Sequence, residues 1–191
     1  MSKGRLFVIT GPSGVGKGTL IKEVFEQLPG LELSVSATTR SPREGERDRL
    51  DYHFLDEQDF SNRLAEGEFM EHASYSGHRY GTLLSEVEPR LARGASVVLE
   101  IELQGARQVR ERLPDAVLVF VAPPTPDVLR ERLEGRGTDT PEQIDRRLEV
   151  ARQELEAQRE FAHVIVNDDV DRAAAELAEL MQRERAQKPV G

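Results

Sequence analysis

The chain contains no cysteine among its 191 residues and only four histidines, at positions 53, 72, 78 and 163. Without thiols, disulfides and thiolate metal sites are excluded, and the composition is compatible with a reducing, cytoplasmic location. The four histidines lack any spacing typical of metal ligands, such as HExxH. We therefore expect none of them to bind a metal ion.

Long apolar runs and an excess of positive charge are also missing. The apolar stretch before Gly11 is too short for a signal peptide or a membrane span, so we expect no membrane partner. A formal net charge of −9 argues against a general nucleic-acid-binding surface, which needs many cationic phosphate contacts. Any anion must then be bound locally, and arginines are concentrated in segments 40–49 and 130–147.

Apolar runs and helical periodicity alternate along much of the chain. The runs 6–10, 96–101, 117–121 and 164–166 are typical of strands covered on both faces. Helical patterns follow or separate them at 19–28, 104–113, 126–134, 141–159 and 171–185. This alternation predicts an α/β fold, with a parallel sheet at its core and helices on both faces.

Two segments depart from this alternation and are predicted to be insertions. Segment 34–82 is rich in Ser, Thr, Arg, Gly and Tyr, with short alternating stretches and one short helical pattern near 56–66. It predicts a small β-rich lobe. Segment 126–158 is charged and helical, with Gly135 and Gly137 as breaks, and predicts a mobile helical unit. The core would then consist of 1–33, 83–125 and 159–191.

A phosphate-binding loop of the P-loop type follows the first predicted strand and opens the first helix. It consists of Gly11, Pro12, Ser13, Gly14, Val15, Gly16, Lys17, Gly18 and Thr19. Glycines let successive N–H groups point inward, and the helix N-terminus adds partial positive charge. The loop therefore predicts binding of a nucleoside triphosphate, with Lys17 reaching the β- and γ-phosphates.

The loop departs from the usual pattern after its lysine. Gly18 stands where Ser or Thr would offer a hydroxyl to Mg²⁺, and the hydroxyl comes one place later, at Thr19. We expect Mg²⁺ to be held mainly by phosphates and waters, since it keeps part of its water shell. Glu100 and Glu102 are the candidate carboxylates, and strand alternation places them on one face near the loop.

Seven ordered blocks make the chain resemble the guanylate kinase family over nearly its whole length. They are SVSATTRSPREGE (34–46), DYHF (51–54), FMEHA (69–73), YGT (80–82), EIELQGA (100–106), RLEGRGT (132–138) and VNDD (166–169). The resemblance implies transfer of the γ-phosphoryl group of ATP to GMP. It also makes the predicted core a P-loop core, segment 34–82 a GMP-binding lobe and segment 126–158 a lid over ATP.

The resemblance assigns a GMP site to the inserted lobe. The positions that match the family's phosphate-binding residues are Ser36, Arg40, Arg43, Tyr52 and Tyr80, where arginine forks and hydroxyls suit a dianion. Glu71 matches the residue that reads guanine, because an acceptor-only carboxylate can pair with N1–H and N2–H₂. Thr82 would bind the O6 side, and Glu100 and Glu102 stand where the family often has aspartates.

The remaining matches concern ATP and catalysis. Arg132, Arg136 and Arg147 match lid arginines that stabilise the transferring group together with Lys17 and Arg43. Asn167 and Asp168 match positions that touch adenine.

Two other interpretations compete with this one. A related P-loop kinase could act on another nucleoside monophosphate or on a ribose bisphosphate, but neither acceptor needs the base-reading pair at 71 and 82. A non-catalytic protein-binding module of the same shape would lose the phosphate loop, which this chain retains.

Overall fold

The computed structural model describes residues 4–135, 137 and 140–187. The strands are β1 (Leu6–Thr10), β2 (Leu31–Leu33), β3 (Ala37–Thr38), β4 (His53–Phe54), β5 (Phe69–Tyr75), β6 (His78–Leu83), β7 (Ser96–Glu100), β8 (Val117–Ala122) and β9 (His163–Val166). The helices are α1 (Lys17–Gln27), α2 (Glu57–Ala65), α3 (Leu84–Ala92), α4 (Leu103–Arg112), α5 (Pro126–Gly135), α6 (Pro141–Glu156) and α7 (Val170–Ala186). A short 3₁₀ helix covers Ala157–Glu160.

The core is a five-stranded parallel sheet in the order β2-β7-β1-β8-β9. Alternate residues of β1 enter two different apolar clusters, as the pleat of a strand requires. Phe7 and Ile9 pack with residues of α1 and α7, whereas Leu6 and Val8 pack with residues of α3 and α4. Helices therefore cover both faces of the sheet, which confirms the predicted α/β core.

A second, four-stranded sheet has the order β4-β3-β6-β5. It pairs β5 and β6 as an antiparallel hairpin, with an irregularity between Phe69 and Glu71. Phe60 of α2 stacks on Phe69 at a ring-centroid distance of 4.4 Å, so α2 closes the apolar face of this sheet. The predicted β-rich segment thus forms a sheet of its own.

The helices α5 and α6 share a separate apolar cluster that includes Leu129, Leu133 and Leu148. Thr140 begins α6 with a capping box: its side chain accepts from the Gln143 amide, and the Gln143 side chain accepts from the Thr140 amide. These reciprocal bonds satisfy two backbone donors that the first turn would otherwise leave unpaired.

Some local features differ from the sequence-based expectations. The alternating stretch 33–38 is divided, because β2 joins the core sheet and only β3 joins the second sheet. Helix α3 was not predicted; Pro89 lies inside it and no side chain caps its start. The division into core, lobe and lid remains a prediction. Among the described residues, no helix has the length and apolar character needed to cross a membrane.

Candidate active site

The phosphate loop curls between β1 and α1 as its glycines allow. Gly11, Gly14 and Gly16 all have positive φ, and Gly16 caps α1 at φ 95°. A Cβ on Gly11 would lie 2.2 Å from the Val121 carbonyl oxygen, so a side chain there would collide with backbone. The sequence requirement for glycine is therefore both conformational and steric at this turn.

Lys17 is buried and points back along the loop. Its Nζ donates to the carbonyl oxygens of Gly11 at 2.6 Å and of Pro12 at 3.2 Å. These two bonds hold a positive charge within the curl, where it can meet the anionic end of a bound triphosphate.

Two side chains, one from α5 and one from the residue after β9, bind the phosphate loop at Val15. The Asn167 amide donates to the Val15 carbonyl oxygen at 2.8 Å, and Arg132 Nη1 donates to the same oxygen at 3.1 Å. Arg132 Nη2 also donates to the Asn167 carbonyl oxygen at 2.8 Å. Asn167 is 1% exposed, so this contact is part of the interior and links α5 and the end of β9 to the loop.

A cleft of about 510 Å³ brings the phosphate loop and the second sheet together. This volume is of the size that binds small molecules in proteins. Predicted site residues line both sides: Ser13, Gly14, Gly16, Lys17, Gly18 and Thr19 of the loop, Ser36, Tyr52, Glu71 and Tyr80 of the second sheet and its loops, Glu100 at the end of β7, and Glu102 after it.

Glu71 is the most deeply buried acid of the cleft, with 4% of its surface exposed. Thr82 lies beside it on the neighbouring strand, and its hydroxyl donates to Glu71 Oε1 at 2.7 Å. Burial raises the pKa of Glu71 to about 7, against the opposing effect of the hydrogen bonds from Thr82. The second oxygen, Oε2, lies close to Gly105 at the start of α4.

Arg40 is held in place near the two tyrosines of the cleft. Its guanidinium forms a bidentate pair with Glu46, with both N···O distances 2.9 Å, and lies 5.2 Å from the centre of the Tyr52 ring. Tyr52 in turn meets Tyr80 edge to face at 6.2 Å. The hydrogen bond from Arg40 holds the pKa of the Glu46 carboxyl below its ordinary value. Arg43 is exposed in the adjoining loop, where its backbone amide donates to Glu46.

Two acids, Glu100 and Glu102, line the phosphate-loop side of the cleft, and a third, Glu154, interacts electrostatically with Glu102 and Lys17. Glu100 ends β7, and Glu102 stands at the N-cap position of α4 without a capping bond from its side chain, so the strand does not carry both acids as alternation predicted. Desolvation in the cleft raises the pKa of Glu100, although the positive charge of Lys17 acts to lower it. Glu154 of α6, which the sequence analysis missed, has its pKa raised to about 7 by the same cause and by Glu102.

The donor set suits a magnesium ion that phosphates and waters hold for the most part. Among the described residues, no group of three or more His, Asp and Glu side chains could by itself hold a metal ion. The oxygens of Glu100 lie 3.6 and 3.7 Å from the place that a Cβ on Gly18 would take, near the usual hydroxyl position. A carboxylate therefore stands close to where the loop lacks its hydroxyl, and it can accept from metal-bound water.

Arg147 and Asp168, which were also predicted, are not among the described residues that line this cleft. Arg147 is half-buried on α6. Asp168 is exposed and pairs with Arg172 at 2.6 Å, and this bond lowers the pKa of Asp168. Arg136 lies outside the described residues.

Comparison with known proteins agrees with this geometry. The family model described as guanylate kinase matches residues 3–184. A guanylate kinase of Frankia casuarinae is 56% identical over 92% of this chain and 96% of its own length. One of Rubrobacter xylanophilus is 50% identical over 96% of both chains. The crystal structure of guanylate kinase from Anaplasma phagocytophilum superposes with a TM-score of 0.80 at 30% identity, covering 97% of this chain and 88% of that one. The chain therefore belongs to the guanylate kinase family of ATP-dependent nucleoside monophosphate kinases.

Proposed function

We propose that this protein transfers the γ-phosphoryl group of ATP to GMP, giving ADP and GDP, in the cleft between the phosphate loop and the second sheet. The observation that supports it best is the joint presence in that cleft of Lys17 and the buried carboxylate of Glu71. One side can bind a triphosphate by main-chain amides, and the other presents an acceptor to a purine. Two nucleotides would thus meet with their phosphates facing each other.

On the acceptor side, Glu71 reads the guanine base. The Thr82 hydroxyl already occupies Oε1, so Oε2 and the remaining lone pair of Oε1 accept from guanine N1–H and N2–H₂. Adenine offers an acceptor at N1 and would leave a buried carboxylate unpaired. Ser36, Tyr52, Tyr80 and the guanidinium groups of Arg40 and Arg43 bind the GMP phosphate.

On the donor side, the amides of the phosphate loop and Lys17 bind the ATP phosphates. Phosphoryl transfer spreads negative charge over the equatorial oxygens, so positioning and cationic stabilisation supply most of the catalysis. Arg132 already lies against the loop at Val15, and Arg136 and Arg147 add charge from the lid segment 126–158. Asn167 and Asp168 lie at the adenine end.

Magnesium bound to the phosphates would neutralise part of their charge. Glu100 and the Thr19 hydroxyl would orient its water ligands, and Glu102 would share the task of holding the acceptor nucleotide. The cytoplasm supplies both nucleotides, which fits a chain without cysteine.

A substrate panel tests the proposal. Turnover is measured in a coupled assay with Mg-ATP and each of GMP, dGMP, AMP, UMP and ribose bisphosphate. Activity with the guanine acceptors alone supports the proposal, whereas preference for any other acceptor overturns it. Lys17→Ala should abolish turnover while GMP still binds, and Lys22→Ala, on the exposed face of the same helix, is the matched control.

A further inference from the structure

Gly105 of α4 lies directly behind the carboxylate of Glu71. A Cβ built on Gly105 would be 2.2 Å from Glu71 Oε2 and 2.9 Å from Glu71 Cδ. Real Cβ atoms do not approach other atoms this closely, so one of the two groups would have to move. The position is buried and helical, and its φ is negative, so the glycine is not required by backbone conformation.

The helix itself is fixed against the strand that carries Glu71. Gln108 binds the backbone of His72 twice: its Oε1 accepts from the amide at 3.1 Å, and its Nε2 donates to the carbonyl oxygen at 2.6 Å. Arg112 Nη1 donates to the Phe69 carbonyl oxygen at 2.7 Å. Gly105, Gln108 and Arg112 are spaced three and four apart and share one face of α4. A retreat of the helix would break these three bonds to β5.

The Glu71 side chain is the element that can move at lower cost. Among the described residues, rotation of its carboxylate would disturb the hydrogen bonding from Thr82 alone, whereas displacement of α4 would break three bonds to β5. A side chain at position 105 would therefore turn the carboxylate away from the cleft and leave the fold in place.

We propose that Gly105 is a specificity-determining positioning residue, whose missing side chain leaves the space in which Glu71 aims its carboxylate at the base. The proposal rests on the proposed reading of guanine by Glu71. It assigns base selection to a contact between α4 and β5, and not to the acid alone.

The test is Gly105→Ala, assayed with GMP and AMP at varied ATP. We expect the ratio of kcat/KM for GMP to that for AMP to fall at least about tenfold, as loss of a hydrogen bond to a charged group implies. This fall should come from a higher KM for GMP. The KM for ATP should change less than about twofold. A merely structural role would lower activity with both acceptors alike, and that result would overturn the proposal. Glu111→Ala, on the exposed face of α4, is the control and should change neither ratio.

A double-variant cycle separates this proposal from the proposed role of Glu71. Glutamine has the shape of glutamate, so Gly105→Ala meets the same obstruction in a Glu71→Gln background. Because Gly105 is proposed to act through the Glu71 carboxylate, Gly105→Ala should change selectivity less than about threefold in the Glu71→Gln background. If Glu71→Gln alone leaves selectivity unchanged, the base-reading role fails. If Glu71→Gln lowers selectivity and Gly105→Ala does not, the role of Gly105 fails.

If Gly105→Ala folds poorly, a second variant still tests the proposal. In Gly105→Ala combined with Glu71→Ala, the obstructing carboxylate is gone. We expect the melting temperature of this double variant to return to that of Glu71→Ala alone. A double variant that stays as unstable as Gly105→Ala would place the clash elsewhere in the helix and overturn the proposal.

Discussion

Replacing Glu71 with glutamine tests the base-reading role at the level of single atoms. The carbonyl oxygen of the new amide can still accept from Thr82, but its NH₂ group then faces the N–H donors of guanine. Loss of a hydrogen bond to a charged group costs about 1.5–3 kcal/mol, and about 1.4 kcal/mol corresponds to a factor of ten. The ratio of kcat/KM for GMP to that for AMP should therefore fall roughly 10- to 150-fold in Glu71→Gln.

The same substitution should stabilise the fold at neutral and higher pH. Burial raises the pKa of Glu71 to about 7 from an ordinary value of 4.5, so folding disfavours its charged form. At about 1.4 kcal/mol for each unit of pKa, removal of that charge is expected to raise the free energy of unfolding by about 3 kcal/mol. The gain is complete above about pH 7 and shrinks as the pH falls towards 4.5, because the wild-type carboxyl then becomes neutral.

Two assays measure the expected loss of selectivity and gain of stability in Glu71→Gln. Steady-state kinetics with GMP and AMP gives the selectivity, and urea unfolding at several pH values gives the stability. Glu66→Gln, an exposed acid of the same lobe, serves as control. Equal loss of kcat/KM for both acceptors would refute the reading of guanine by Glu71, and unchanged stability above pH 7 would refute the buried charge.

Two further predictions concern the pH dependence of GMP binding and the support of the phosphate loop. The dissociation constant of GMP, measured by calorimetry without ATP, should rise as the pH falls from about 8 to about 5, because protonated Glu71 offers one acceptor fewer. Protonation of the GMP phosphate near about pH 6 adds a slope of its own, so Glu71→Gln should show a smaller rise than the wild type, and an equal rise would assign the difference to another group. Asn167→Ala removes the bond to the Val15 carbonyl oxygen, worth about 1 kcal/mol, and should raise the KM for ATP about fivefold with GMP binding unchanged. A matching loss in Glu179→Ala, an exposed site on α7, would contradict a local cause.

The core of the fold could be predicted because its strands are buried on both faces. Covered strands read as unbroken apolar runs, and the observed β1 and β8 begin where those runs begin. Helix α3 escaped prediction because Pro89 interrupts its pattern and Leu83 offers no capping side chain. Strands β5 and β6 were hidden because their burial does not alternate: Phe69 and Met70 are buried in succession, and His78, Arg79 and Tyr80 are half-buried in succession.

The site was predictable where a residue binds a ligand and not where it supports another residue. Lys17 and Glu71 belong to sequence patterns that match a family, and they share one cleft. Sequence periodicity does not reveal the remaining three residues. Gly105 and Glu154 matter through contacts with segments distant in sequence, and Glu46 lies in a loop without periodicity. The block EIELQGA could have drawn attention to Gly105, since a glycine inside a helix has a cost of about 1 kcal/mol relative to alanine.

The pairing of Arg40 with Glu46 bears on how tightly a phosphate can be bound. Freezing an arginine side chain costs up to about 2 kcal/mol of rotamer entropy. Because Glu46 and the Tyr52 ring fix the guanidinium as the chain folds, an arriving anion finds this fork already immobilised. The anion must also share the Arg40 guanidinium with the Glu46 carboxylate, which favours binding of a doubly charged phosphate over a singly charged one.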